Sequence, residues 1–119
     1  MGNFQKLHVW KIAKDQAVKI YKVIKSTSLS KDFGLRDQIQ RAAVSIPSNI
    51  AEGDESGTNK LSVKYFNTAK GSIAELQTQI IIAHEIGYID CCLKDQILNE
   101  CDRISIMLGK LIKGRVEKG

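Results

Sequence analysis

Apolar residues recur along this chain at steps of three and four. Leu7, Trp10, Ala13, Ala17, Ile20 and Ile24 form a first series, the period of a helix face turned to a core. The stretch KSTSLSKDFG then breaks the rhythm with small polar residues and Gly34. Leu35, Ile39, Ala42, Ile46 and Ile50 make a second stripe, with Gly53 and Gly57 placed to end it as cap or turn. Thr58 or Asn59 can cap the next helix. The third and longest series is Leu61, Tyr65, Ala69, Ile73, Leu76, Ile80 and Ala83, closed near Gly87. Leu93, Ile97, Cys101, Ile104, Leu108 and Leu111 form the fourth, and Gly114 is read as the start of a frayed basic tail. The pattern predicts helices over roughly 5–27, 33–55, 58–87 and 91–114 and no strand. Four such helices with short connections make an all-α chain, expected as one antiparallel up-down-up-down four-helix bundle over residues 1–119.

The second helix holds the chain's only proline, in RAAVSIPSNIAEG. A proline that opens a helix wants a capping residue before it, and Ile46 caps poorly. The reading is therefore a continuous helix, bent where Pro47 frees the carbonyl of Ala43, at a cost of about 3 kcal/mol relative to alanine. Arg41, Ser45, Ser48 and Glu52 stand at steps of four, three and four, which puts them on one narrow face. That face is small and mostly uncharged, unlike a Lys- and Glu-rich solvated one. It is expected to be a buried or half-buried polar seam against another helix or another subunit. Gly71-Ser72 in the third helix, with Glu75 just beyond, matches it. A mid-helix glycine costs about 1 kcal/mol, and close helix packing is the usual reason for one. Arg41 is then expected to pair with Glu75 or Glu52 across the contact, since a buried arginine needs a partner.

Composition adds the setting. Apolar residues are 43% of the chain and charged residues 26%, an ordinary globular balance. No apolar run approaches the ~20 residues that span a bilayer, and the charged opening MGNFQKLHVWKIAKD is not expected to be a secretory signal. Met1-Gly2 opens like a myristoylation site, but Lys6 stands where Ser or Thr is wanted. Cys91, Cys92 and Cys101 have neither disulfide nor metal spacing, so reduced thiols in the cytoplasm are expected.

Enzyme motifs fail one by one. His84-Glu85-Ile86-Gly87-Tyr88 starts like the zinc-protease helix motif, but Tyr88 occupies the second ligand position. There is no Gly-rich phosphate loop and no Gly-x-Ser-x-Gly elbow. Glu52, Asp54 and Glu55 read as a solvated turn rather than a cation site. No catalytic residue, metal or cofactor is expected.

The net charge is +5, and the basic residues gather in the first helix and the last. Lys11, Lys14, Lys22 and Lys25 fall within about 80° of one another on a helical wheel, flanking the apolar stripe rather than opposing it. They are the expected nucleic-acid contacts, made to backbone and shape, with no aromatic platform for single-stranded bases.

RAAVSIPSNIAEG, with FGLRDQIQ before it and AKGSIAELQTQ after it, resembles the four-helix-bundle family encoded in intervening sequences of bacterial large-subunit ribosomal RNA genes. Its members are often labelled ribosomal proteins. The likeness runs from Phe4-Gln5-Lys6-Leu7-x-x-Trp10 through Gly87-Tyr88-Ile89. It implies a compact bundle that assembles into a ring-shaped homopentamer, and brings no catalytic residues. The family motif falls on Arg41, Ser45, Pro47, Asn49, Glu52, Gly53, Gly71, Ser72 and Glu75, taken as architectural, with Ser48 beside them. The accessory variability protein of diversity-generating retroelements, which is basic and associated with nucleic acid and a reverse transcriptase, is similar too. The expected function is therefore a non-enzymatic homo-oligomer that binds RNA or DNA. The alternatives are a structural or protein-interaction scaffold with no nucleic-acid binding, or a mobile-element accessory factor.

Overall fold

The computed structural model describes residues 3–118. Four α-helices carry the fold: α1 His8–Lys25, α2 Phe33–Glu55, α3 Asn59–Ile86 and α4 Cys91–Glu117. Short 3-10 turns precede α1 at Phe4–Lys6 and α2 at Ser28–Lys31, where the polar break in the pattern lies. Among the described residues there is no strand. The chain measures 46 × 21 × 19 Å, so the 28-residue α3, about 42 Å long at 1.5 Å per residue, nearly spans it.

Side-chain caps start three of the helices. Asp32 Oδ1 accepts from Leu35 N at 3.2 Å, Thr58 Oγ1 from Leu61 N at 3.1 Å, and Asp90 Oδ1 from Leu93 N at 2.8 Å. Gly87 ends α3 in the left-handed region, with φ +98°, and Tyr88 N returns to the carbonyl of Ala83. Glycine adopts that conformation at little cost.

Each helix gives one face to a common core. α2 packs against α1 and α3, α3 also against α4, and α1 touches α4 more lightly. Phe66, Ile20, Leu29, Ile39, Ile46, Ile50, Ile73, Leu76, Ile80, Ile97, Ile104 and Leu108 are its large buried side chains. Cross-helix contacts set the register. Asp32, Ser45 and Gly53 of the α2 region meet Tyr88, Ser72 and Phe66 in turn, so contacts move back along α3 as the chain advances along α2.

Three expectations need correction. The α3 core face is Ser62, Phe66, Ala69, Ile73, Leu76, Ile80 and Ala83, while Leu61 is 39% exposed and Tyr65 is only half-buried. The reason is Phe66, whose ring fills the space beside Gly53 and rotates the first turns of α3. Gly53 is accordingly no cap: α2 runs on to Glu55, and a Cβ on Gly53 would stand 2.5 Å from Cε1 of Phe66. Finally, α4 passes through Gly114 to Glu117. Arg115 holds that last stretch by donating to Ser62 Oγ at 2.9 Å and Asp54 Oδ1 at 3.3 Å, with its guanidinium over the Phe66 ring.

Cys101 is fully buried on α4, and its Sγ accepts from Gln16 Nε2 at 3.5 Å. Burial lifts its thiol from an ordinary 9.0 to about 11. Cys91 and Cys92 are exposed.

This packing makes two outcomes measurable. Gly53→Ala should destabilise the fold by about 1–3 kcal/mol in urea titrations, although alanine is the better helix former. Phe66→Leu in the same chain should recover part of that loss. For Cys101 the raised folded value means that the unfolded thiol ionises first. Stability at this group is therefore intact below pH 9.0 and declines as the pH rises toward about 11. A urea series across that window checks the slope. Thiol labelling of the folded protein should modify Cys91 and Cys92 and spare Cys101.

Candidate functional site

Two regions collect the residues that the sequence singles out. The first is the contact of α2 with α3. Asn49 Nδ2 donates to the Ser45 carbonyl at 2.9 Å and to Ser45 Oγ at 3.0 Å. Ser45 Oγ lies 2.9 Å from Ser72 Oγ. With Asn49 already donating to it, the Ser45 hydroxyl is free to donate onward to Ser72, so the three side chains form one relay. Helical spacing turns Ser45 and Asn49 toward α3. Arg41, Ser48 and Glu52, slightly further round the same helix, stand in solvent.

The expected ion pair of Arg41 with Glu75 or Glu52 is not formed: all three are exposed, and among the described residues none has an ion-pair partner. The seam is made by hydroxyls and an amide instead. Gly71 also differs from expectation. It is exposed, and a Cβ there would meet nothing within 4 Å. Ser72, the next residue, is the one that faces α2, and the tight approach lies at Gly53.

The second region is a groove between α1 and α2, with a volume of about 510 Å³. Pro47 lies inside an unbroken α2, and its buried ring forms part of the groove wall with Val44. From α1 come Ala17, Val18 and Tyr21, and Lys14, Lys22 and Lys25 line the same groove. Val18, Tyr21 and Val44 are 48%, 40% and 42% exposed, a continuous apolar surface in water. The structure thus brings Lys14, Lys22 and Lys25 together around an apolar floor, while Lys11 stands outside the groove.

Lys14 bonds Asp15 at 2.6 Å and lies 5.9 Å from the Trp10 ring centroid. Among the described residues Lys11, Lys22 and Lys25 have no carboxylate partner, whereas Lys19 pairs with Glu100 of α4 at 3.4 Å. Three unpaired cations and a partly neutralised one give this side of the molecule a positive field. Reading the lysines alone missed the floor beneath them. The signal was present, because Lys14, Val18, Tyr21 and Lys25 share one face at steps of four, three and four.

Elsewhere, His84 Nδ1 is 3.0 Å from the Ile89 carbonyl, which can only accept, so the ring donates from Nδ1. Tyr88 Oη donates to Asp32 Oδ2 at 2.8 Å, and that bond is the main cause of a raised tyrosine pKa. His84 and Tyr88 thus both tie down the turn between α3 and α4. Among the described residues no group of three metal-ligating side chains occurs and no helix is long and apolar enough to cross a membrane.

A four-helix bundle with a hydroxyl-sealed α2–α3 seam and a lysine-lined groove is the class of protein that this geometry defines. The model of the 23S rRNA-intervening sequence protein family matches residues 5–110, and the chain belongs to that family. A similar solved structure is that of a protein of unknown function from the S23 ribosomal protein family of Bacteroides thetaiotaomicron. It is 25% identical, with a TM-score of 0.80, covering 88% of this chain and 98% of that one. No curated protein matches the chain.

Ser45→Leu should break the relay and force a branched side chain into the α2–α3 seam. The expected loss is about 1–3 kcal/mol in chemical denaturation, with any assembly weakened in light scattering. Ser48→Leu, on the solvent side of the same helix, should change stability by less than about 0.5 kcal/mol.

Proposed function

We propose that the protein is a non-enzymatic homo-oligomer of the cytoplasm, a ring of five in line with the resemblance, that binds RNA or DNA backbone through basic surfaces. The observation that carries this reading is the set of exposed lysines on α1: Lys11, Lys22 and Lys25 lack carboxylate partners among the described residues, and Lys14 stands beside them. Five copies would bring about +25 of formal charge, enough to attract a polyanion over distances of a Debye length. The names of the family and of the similar solved structure, which refer to 23S rRNA and to a ribosomal protein family, agree with a nucleic-acid partner. The non-enzymatic reading is supported by the burial of Cys101, which keeps that thiol from acting as a nucleophile.

Assembly is supported by the outer face of α3. Ile82 and Ile86 are 43% and 55% exposed there, and Gly71 and Ala74 leave room for a neighbouring chain. The same face favours the second reading, a scaffold whose partner is a protein and whose charge serves solubility.

Binding of RNA and DNA to the purified protein across a salt series, with light scattering on the same sample, separates the two. A pentamer-sized particle whose affinity falls steeply with salt is expected. Replacing Lys11, Lys14, Lys22 and Lys25 with Gln should abolish binding and flatten the salt slope while leaving the particle mass unchanged. A pentamer that ignores both nucleic acids at low salt would establish the scaffold instead.

A further inference from the structure

We propose that the α1–α2 groove takes an unstacked base of a single-stranded nucleic acid, with Tyr21 as the stacking platform and Lys14, Lys22 and Lys25 holding the adjoining phosphates. This rests on the nucleic-acid reading above, departs from the expectation that no aromatic platform is present, and adds the form of the ligand and the site.

The groove has the two chemistries that such a ligand needs. Its floor is apolar, built from Val18, Val44, Pro47 and the 40% exposed Tyr21. Its charged lining is cationic only, with no acidic residue among the side chains that form it. Its volume of about 510 Å³ lies within the range of roughly 300–1,000 Å³ typical of small-molecule sites. A duplex cannot use both halves, because its bases are stacked and their faces covered. A single strand presents a π-face and a phosphate within one nucleotide, which suits an aromatic ring flanked by lysines. Charge complementarity therefore favours a polyanion with aromatic bases. The competing occupant is a second copy of this chain, whose outer α3 face carries Ile82 and Ile86 together with Glu75 and Glu85.

The test is fluorescence anisotropy on the intact protein with a labelled short oligoadenylate, as RNA and as DNA, an abasic strand of equal length and a duplex. The base-bearing strand should bind about tenfold more tightly than the abasic one. Tyr21→Ala should erase that preference, and Tyr21→Phe should keep it. Lys22→Gln with Lys25→Gln should weaken every strand and reduce the salt slope.

Equal affinity for abasic and base-bearing strands, or a Tyr21→Ala protein that retains the preference, overturns this site and leaves backbone binding standing. Binding of no strand at low salt brings down both readings. If Tyr21→Ala lowers the particle mass while the preference per subunit survives, a neighbouring copy covers the groove and the proposal is wrong.

Discussion

Between Gly53 and Phe66 there is no room for a methyl group, since a Cβ on the glycine would stand 2.5 Å from the ring. This approach brings α2 against α3, the pair with the most extensive contact in the bundle. Much else depends on it. The buried ring fixes the rotation of α3, so that Ser72 faces Ser45 and Ser62 turns inward. Ser62 then accepts from Arg115, which carries the end of α4 onto the α2–α3 corner. A larger residue at 53 would displace the ring and, through it, the anchor of a third helix.

Polar ties close the two ends of the α2–α3 pair. At one end Asp32 caps α2 with one carboxylate oxygen and accepts from Tyr88 with the other. At the other, Arg115 joins Ser62, Asp54 and the face of Phe66. The relay through Asn49, Ser45 and Ser72 lies between them. A neutral hydroxyl seam is cheaper to desolvate than an ion pair, which explains why Arg41 and Glu75 stay in water. Pro47 fits the same logic. Its missing N–H costs a helix bond, yet its buried ring packs beside α1 and leaves one apolar edge at the surface, where Lys14, Lys22 and Lys25 converge.

The helices, most of the core and the caps at Thr58 and Gly87 were legible in the sequence, because periodicity and turn chemistry are local properties. The family was legible too, through RAAVSIPSNIAEG and its flanks. The candidate site was legible by halves. Four lysines on one face of α1 could be counted, but the groove that three of them line needs Val44 and Pro47 from another helix. Gly53 and Gly71 show the limit most plainly. Both are helical glycines, one in the last turn of α2 and one in the middle of α3, and nothing local says that one is pressed against a ring while the other faces open space.

What the sequence determined by itself was the number of helices, the core face of α1, α2 and α4 and the later part of that of α3, and the family to which the chain belongs. The reason is that a period near 3.6 residues is written into every stretch of chain. Only the tertiary structure decided which small residues meet a neighbour, which charges pair, and that Tyr21 shares a groove with the lysines. Those outcomes depend on the rotation of one helix against another. That rotation is set by side-chain volumes far apart in the chain, such as Gly53 and Phe66, and no window of sequence contains it.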